Sequence, residues 1–129
     1  MSKRQITIAV DAMGGENSPF KCLKGIEIFH LKKPEVNFRI YGDKILISKS
    51  IKDNNLQIKN YEIVNCTENV LDDDNASTIL RARKNSSIYK GLSYVRDNSG
   101  AGFVSAGNTA ALMILSRLIL GMIEGVNRP

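Results

Sequence analysis

Residues 105–113 read Ser-Ala-Gly-Asn-Thr-Ala-Ala-Leu-Met, which predicts a short strand passing through a turn of small residues into a helix. A turn without bulky side chains lets a ligand approach the backbone. Asn108 or Thr109 can cap the helix, whose free N–H groups and positive dipole end attract a phosphate or an oxyanion. The stretch therefore predicts an anion site, although an ordinary capped strand-to-helix turn explains the same residues equally well.

A second turn of the same kind lies near the start of the chain. Residues 6–19 read Ile-Thr-Ile-Ala-Val-Asp-Ala-Met-Gly-Gly-Glu-Asn-Ser-Pro, so a strand-like run leads into a Gly-Gly turn. Ser18 is predicted to cap the next helix, with Pro19 at its first position. Asp11 is either a hydrogen-bonding residue that positions a ligand or a turn former that caps the Gly-Gly loop.

The remaining elements follow from apolar periodicity. Short apolar or alternating runs predict strands at 5–11, 37–41, 61–65 and 102–105. Helices are predicted from Ser18, over about 44–52, and over about 75–97 with a break at the polar residues 84–87. The apolar region 110–123 is too short to cross a membrane and predicts a buried or interface helix.

Alternating strands and helices predict an α/β fold, a three-layer αβα sandwich with a mostly parallel sheet and right-handed crossovers. Ligands of such sheets bind beyond the carboxyl ends of the strands. That rule places residues 11–17, 42–43, 66–77 and 105–109 along one edge. His30, the only histidine, falls late in the first helix and is predicted to lie on the surface.

The charge balance is basic, with 18 Lys and Arg against 13 acidic residues and a formal net charge of +5. Such a surface suits anionic partners, but the basic residues are dispersed and no nucleic-acid motif accompanies them, which argues against nucleic acid. Cys22 and Cys66 lack metal-ligand spacing, and the acidic residues 72–74 lack the pattern of a calcium loop, so no metal is predicted. Cys66 remains a candidate nucleophile without a partner histidine motif.

Three segments together resemble the phosphate acyltransferase family of bacterial phospholipid synthesis, which makes acyl phosphate from acyl-carrier-protein thioester and inorganic phosphate. Residues 11–15, Asp-Ala-Met-Gly-Gly, look like the family's opening, and residues 83–87, Arg-Lys-Asn-Ser-Ser, resemble its basic segment before a Ser-Ser pair. Residues 105–113 are similar to its Ser-Ala-Gly-Asn-Thr-Gly-Ala-Leu-Met segment. Glu16 stands where the family has Asp, and Ala110 where it has Gly; neither change removes a charge or a donor.

The resemblance implies the fold of the isocitrate/isopropylmalate dehydrogenase-like (phosphotransacetylase-like) superfamily and the attack of a phosphate oxygen on a thioester carbonyl. That reaction needs a phosphate clamp and an oxyanion pocket, and no catalytic triad. No cofactor is implied. For the basic residues among the candidates, a solvated helix face is the competing interpretation. The implied catalytic residues are Asp11, Asn108 and Thr109, and the implied phosphate-binding residues are Gly14, Gly15, Arg83, Lys84, Ser86, Ser87, Ser105 and Gly107.

The resemblance also implies partners, namely acyl-carrier protein, inorganic phosphate, a second copy in a homodimer, and a membrane-bound glycerol-3-phosphate acyltransferase. Residues 1–129 are then the N-terminal α/β portion of a longer enzyme whose C-terminal half is absent, because Arg128-Pro129 resembles the family's connection onward. The resemblance places the remaining wall of the active site in that absent half, so this portion is not expected to hold a complete active site. Residues 1–4 lead into a run too short for a targeting core, which predicts a cytoplasmic protein, peripherally membrane-associated at full length. Two alternatives remain: a phosphate acetyl- or butyryltransferase acting on coenzyme A thioesters, and a non-catalytic truncated binding module.

Overall fold

The computed structural model describes residues 5–71 and 73–127, along which strands and helices alternate. Each predicted strand is confirmed to within two residues at either end. The strands are β1 (Thr7–Asp11), β2 (Asn37–Gly42), β3 (Tyr61–Asn65) and β4 (Gly102–Ser105). The helices are α1 (Phe20–Lys32), α2 (Lys44–Asp53), α3 (Ala76–Ala82), α4 (Ser87–Asp97) and α5 (Thr109–Leu120).

These strands form one parallel sheet in the order β3-β2-β1-β4. Successive residues of β1 point to opposite faces. Val10 packs with residues of α1 and α2, whereas Ala9 packs in a cluster with residues of α4. The predicted α/β fold, with helices on both faces of a parallel sheet, is therefore confirmed. Because every pairing is parallel, the carboxyl ends of the four strands lie at one edge of the sheet.

The start of α1 differs from the prediction. Ser18 does not cap the helix; its hydroxyl instead donates to the carbonyl oxygens of Gly14, at 2.6 Å, and Gly15, at 3.0 Å. The helix begins at Phe20, and Pro19 occupies the N-cap position without a side-chain cap. The Ser18 hydroxyl therefore stabilises the Gly-Gly turn rather than the start of α1, because its proton is bonded to the two carbonyl groups of that turn.

The predicted break in the third helix is confirmed. The polar link between Ala82 and Ser87 separates α3 from α4, and each helix has its own N-cap. The Asn75 side chain accepts from the Thr78 N–H at 2.9 Å, and the Ser86 hydroxyl accepts from the Tyr89 N–H at 3.3 Å. A serine whose side chain accepts from an N–H at a helix start favours a new helix there over continuation of the preceding one. The chain therefore turns before α4.

The prediction that His30 lies on the surface is wrong. Its side chain is buried, with Nε2 donating to the Val36 carbonyl at 3.1 Å and Nδ1 accepting from the Lys59 N–H at 3.4 Å. The ring also meets Phe38 edge-on at 5.0 Å between centroids. Two backbone partners satisfy the imidazole, so it joins the core beneath α1 rather than facing water.

The apolar region near the end of the described residues forms α5, which stops at Leu120 before Gly121 with a φ of +81°. Ala111 and Leu115 are buried against α3 and α4, while Met113, Ile114 and Leu118 are exposed. In the described part of the chain, no helix has the length and hydropathy needed to span a bilayer.

Three predictions concern residues outside the described ranges. The targeting argument rests on residues 1–4, the acidic cluster includes Asp72, and the onward connection rests on Arg128-Pro129. Within residues 5–71 and 73–127, no group of three or more His, Cys, Asp or Glu side chains could hold a metal ion.

Candidate functional site

A cleft of about 150 Å³ opens at the carboxyl ends of β1 and β4, beside the starts of α4 and α5. This is the edge where a parallel α/β sheet places its ligands. The residues around it come from four separate stretches of sequence. They are Asp11, Met13, Gly14, Asn69, Val70, Ser87, Ile88, Gly107 and Asn108. We call this opening the anion cleft.

Asp11 ties the walls of the anion cleft together. The carboxylate is buried, and its Oδ1 accepts from the Met13 N–H at 3.1 Å and from the Ser87 hydroxyl at 2.5 Å. Its Oδ2 accepts from the Ser105 hydroxyl at 2.8 Å. The Ser105 oxygen accepts in turn from the Gly107 N–H at 3.1 Å. One carboxylate therefore fixes the Gly-Gly turn, the start of α4 and the turn before α5.

The two turns that the sequence singled out are in direct contact. A Cβ atom on Gly14 would lie 2.6 Å from the Gly107 nitrogen and 2.8 Å from Asp11 Oδ2. Gly15 has a φ of +84°, which glycine adopts without strain. Glycine is thus required at position 14 because backbone approaches backbone there, and no side chain fits between them.

Two helix N-termini meet at the cleft. Ser87 and Ile88 are the first residues of α4, and Asn108 is the N-cap of α5, with its side chain accepting from the Ala111 N–H at 3.0 Å. The first-turn N–H groups of a helix have no partner within it, and the end carries partial positive charge. Two such ends beside one opening make it suited to an anion.

The serine hydroxyls are engaged inside the walls. The Ser87 and Ser105 hydroxyl protons both go to Asp11, and the buried Ser86 hydroxyl caps α4. A hydroxyl has one proton, so Ser87 and Ser105 present only lone pairs elsewhere, whereas Ser86 uses a lone pair for the cap. Donors for an anion in this arrangement are backbone N–H groups and amide side chains.

The structure brings together some of the predicted site residues and separates others. Asp11, Gly14, Ser87, Gly107 and Asn108 line the cleft. Ser86 and Ser105 lie directly behind it through the contacts described above, and Gly15 lines an adjoining pocket. Thr109 is the exposed first residue of α5.

The basic candidates lie outside the lining of the cleft. Arg83 Nε pairs with Asp74 Oδ2 at 3.1 Å, and Lys84 is exposed in the turn between α3 and α4. Their closeness in sequence to Ser86 and Ser87 does not bring their side chains to the opening, because the chain turns between them. None of the residues that line the cleft is basic, so the donors that the lining offers are backbone and amide N–H groups.

Sequence reasoning did not single out four lining residues, namely Met13, Asn69, Val70 and Ile88. Asn69 and Val70 fall within the predicted edge segment 66–77, but no local motif distinguishes them there. Their signal is positional, since they follow the carboxyl end of β3. The Asn69 amide adds both a donor and an acceptor to this wall.

Cys66 is not suited to act as a nucleophile. It lies just after β3 and is buried, with its N–H donating to the Gly42 carbonyl at 2.8 Å. Burial raises the pKa of the Cys66 thiol to about 11, and the nearby Asp11 carboxylate adds to this effect, while Lys90 opposes it. The thiol therefore stays protonated at neutral pH, and the thiolate is the reactive form.

We expect Cys66 to alkylate slowly in the folded protein. The test uses a Cys22→Ser variant at pH 8, in which iodoacetamide should modify Cys66 at least about tenfold more slowly in the folded protein than in concentrated urea. A raised thiol pKa makes each thiolate more nucleophilic, but it lowers the thiolate fraction by a larger factor. The unfolded sample is the matched control. Equal rates in the two conditions would contradict a raised thiol pKa.

Comparison with known proteins identifies the family. A family described as "Fatty acid synthesis protein" matches residues 6–129. The chain belongs to this family. The matched range includes all three segments that carry the resemblance. It also includes every residue that lines the anion cleft.

Relatives within the family are named phosphate acyltransferase. The chain is 41% identical over 128 residues to the one from Wolbachia pipientis subsp. Culex pipiens, covering 96% of this chain and 37% of the relative. It is 38% identical over 122 residues to the one from Caldicellulosiruptor saccharolyticus, covering 95% and 36%. For Magnetococcus marinus the identity is 35% over 124 residues, covering 96% and 35%. The chain thus spans little more than a third of the length of these relatives.

Proposed function

We propose that this chain forms the phosphate-binding part of an acyltransferase that moves an acyl group from acyl-carrier protein onto inorganic phosphate. The product is acyl phosphate for phospholipid synthesis. The meeting of two helix N-termini at the anion cleft is the observation that carries the proposal. Membership of the family and relatives named phosphate acyltransferase support the same chemistry.

Phosphate binding follows from the electrostatics of the cleft. The first turns of α4 and α5 direct N–H donors and positive dipole ends at the bound anion. Asp11 is the opposing charge, and a carboxylate beside phosphate is repulsive unless one of them carries a proton. Three hydrogen bonds already occupy the Asp11 oxygens, so its role is to position the turns that hold the phosphate.

The reaction needs no nucleophile from the protein. A phosphate oxygen attacks the thioester carbonyl carbon and forms the new C–O bond, and the C–S bond then breaks with the carrier thiolate as leaving group. Negative charge develops on the carbonyl oxygen between these steps. In the proposed mechanism, N–H groups of the first turn of α5 and the Asn108 amide stabilise that charge, while the Gly107 N–H donates to Ser105 and holds the turn. Thr109 contributes through its backbone N–H at the first position of α5.

The basic residues have a different role in this proposal. Lys84 is exposed and lies on the turn that leads into α4, so it contacts the acidic carrier protein rather than the phosphate. Arg83 is held by Asp74 and fixes the link that precedes Ser86. Both residues then influence carrier binding, while backbone donors bind phosphate.

The remaining proposals follow the family resemblance. Residues 1–129 correspond to the N-terminal portion of the enzyme, with other walls of the active site in the part of the relatives that has no counterpart here. The complete enzyme is a cytoplasmic homodimer, peripherally associated with the membrane, where a glycerol-3-phosphate acyltransferase receives the product. The superfamily assignment rests on the same resemblance.

The proposal is tested by two measurements, each made on this chain and on the chain extended past Pro129 to the length of the relatives. Equilibrium dialysis with radioactive phosphate measures anion binding, and release of free carrier thiol measures turnover of an acyl-carrier-protein thioester in the presence of phosphate. An acyl-coenzyme A thioester of the same chain length is the matched substrate. We expect saturable phosphate binding, and thiol release that depends on phosphate and prefers the carrier.

Each outcome separates one alternative. Preference for the coenzyme A thioester would favour a phosphate acetyl- or butyryltransferase. Phosphate binding without turnover of either thioester, even in the chain extended to the length of the relatives, would identify a binding module. Turnover by the extended chain alone would make residues 1–129 one part of a shared active site and leave the proposed reaction intact. Failure to bind phosphate at millimolar concentration would contradict the assignment of the anion cleft itself.

A further inference from the structure

A second depression adjoins the anion cleft on the side of α2. It measures about 440 Å³ and shares Met13 and Asn69 with the cleft, so the two are continuous along the sheet edge. We call it the α2 groove. Its main lining residues are Met13, Lys44, Ile45, Leu46, Cys66 and Asn69.

The walls of the α2 groove are held in place by backbone N–H groups that donate to side-chain oxygens. Asp43 caps α2 by accepting from the N–H groups of Ile45 and Leu46 at 3.0 and 3.1 Å. The Asn65 side chain accepts from the Lys44 N–H at 3.0 Å and joins α2 to the end of β3. The first turn of α2 is therefore fixed independently of the side chains that it presents to the groove.

Those side chains are apolar and exposed. Ile45 is 79% exposed and Leu46 is 45% exposed, although both belong to a helix whose buried position is taken by Ile47. A binding pocket of 300–1,000 Å³ is typically lined by apolar side chains with a few polar groups. The polar residues of the lining are Asp43, Lys44, Asn65, Thr67 and Asn69. The side chains of Asp43 and Asn65 are already bonded to the first turn of α2.

Met13 completes the floor because position 42 is glycine. A Cβ atom on Gly42 would lie 2.8 Å from Met13 Cγ and 2.9 Å from its Sδ. The Met13 side chain therefore lies against the end of β2, where it borders both the anion cleft and the α2 groove. A flexible thioether at this junction can adapt to ligands of different length.

Another pocket that adjoins the cleft differs in character. It measures about 450 Å³ and is lined by Gly15, Glu16 and Ala106 as well as by residues of the cleft. Its distinctive residues are small or acidic, which offers little to an aliphatic chain. Of these two adjoining pockets, the α2 groove is the more apolar one.

We propose that the α2 groove binds the acyl chain of the substrate while the reacting carbonyl lies in the anion cleft. The proposal rests on the proposed function, since it assigns the apolar part of the same substrate. Ile45, Leu46 and Met13 contact the acyl chain. Their contribution to binding affinity therefore depends on the length of the chain and not on the chemistry of the headgroup. Burial of each methylene group raises affinity by up to about fourfold.

Alkyl phosphates test the groove without requiring turnover. Methyl, butyl and octyl phosphate share one headgroup and differ only in chain length, and calorimetry gives the affinity of each for the intact chain. We expect octyl phosphate to bind at least about tenfold more tightly than methyl phosphate. An Ile45→Ser/Leu46→Ser double variant should lose most of this gain and leave methyl phosphate binding unchanged.

A Leu31→Ser variant provides the matched control, because Leu31 is 83% exposed on α1 and lies outside the α2 groove. An octyl gain that survives in the double variant, or falls equally in the control, would overturn the groove assignment and leave the proposed function intact. Absence of methyl phosphate and inorganic phosphate binding would contradict the proposed function. If neither methyl phosphate nor inorganic phosphate bound, but octyl phosphate bound the unsubstituted chain and not the double variant, the groove assignment would hold without the proposed function.

Discussion

Gly14→Ala is expected to weaken phosphate binding by about tenfold to a hundredfold, because it displaces an N–H group that binds the anion and a hydrogen bond to a charged group contributes about 1.5–3 kcal/mol. The added Cβ would lie 2.6 Å from the Gly107 nitrogen and 2.9 Å from its Cα, so backbone must move. The movement separates the Gly-Gly turn from the turn that begins α5. The same overlap should lower the free energy of unfolding by about 1–3 kcal/mol.

Gly25→Ala is the matched control for this substitution. Gly25 lies in α1 with no atom within 4 Å of the position that its Cβ would occupy. Alanine there should raise the free energy of unfolding by about 0.5–1 kcal/mol and leave phosphate binding unchanged. Dialysis and urea denaturation of the two variants measure both quantities. Unaltered phosphate affinity in Gly14→Ala would show that the contact between the turns does not shape the anion site.

Asp11→Asn is expected to lower the free energy of unfolding by about 2–3 kcal/mol, the cost of leaving a buried hydrogen-bonding group badly paired. An asparagine carbonyl can keep the bonds from Met13 and Ser87 to Oδ1, but its NH₂ group then faces the Ser105 hydroxyl. That hydroxyl already accepts from the Gly107 N–H and must direct its proton elsewhere. The turn before α5 should consequently loosen.

Urea denaturation measures the loss of stability, and amide hydrogen exchange at Gly107 measures the loosening. Asp53→Asn, at an exposed position at the end of α2, is the control for removing a carboxylate and should change neither quantity by more than about 0.5 kcal/mol. Full protection of the Gly107 N–H in Asp11→Asn would contradict a role for Asp11 in holding the turn.

The fold was accessible from the sequence because its signals are local. Apolar runs such as 37–41 and 61–65 specify strands by themselves, and alternation with helices leaves a parallel sheet as the natural arrangement. The break before α4 was also predictable, since Ser86 is a strong helix-start residue among weak helix formers. His30 was misjudged because its partners, Val36 and Lys59, lie beyond the helix.

The candidate site was only partly accessible, because its geometry depends on contacts between distant segments. The two small-residue turns were visible in the sequence, but the 2.6 Å approach of a Gly14 Cβ to Gly107 was not. The sequence predicts Ser87 and Ser105 as phosphate-binding residues, but in the structure both hydroxyls donate to Asp11. Asn69 lies in a segment without a motif, so only its place after the carboxyl end of β3 indicates that it lies near the site.

The Asp11 contacts also have a consequence for how the chain folds. Its bonds to Ser87 and Ser105 join residues 76 and 94 positions apart, and β4 pairs directly with β1. Contacts of such high contact order form late, because the intervening chain must be ordered first. The opening therefore exists only in molecules that have completed the sheet. A ligand bound there selects those molecules and raises the melting temperature with its concentration, so thermal shift screening can search for ligands without a functional assay.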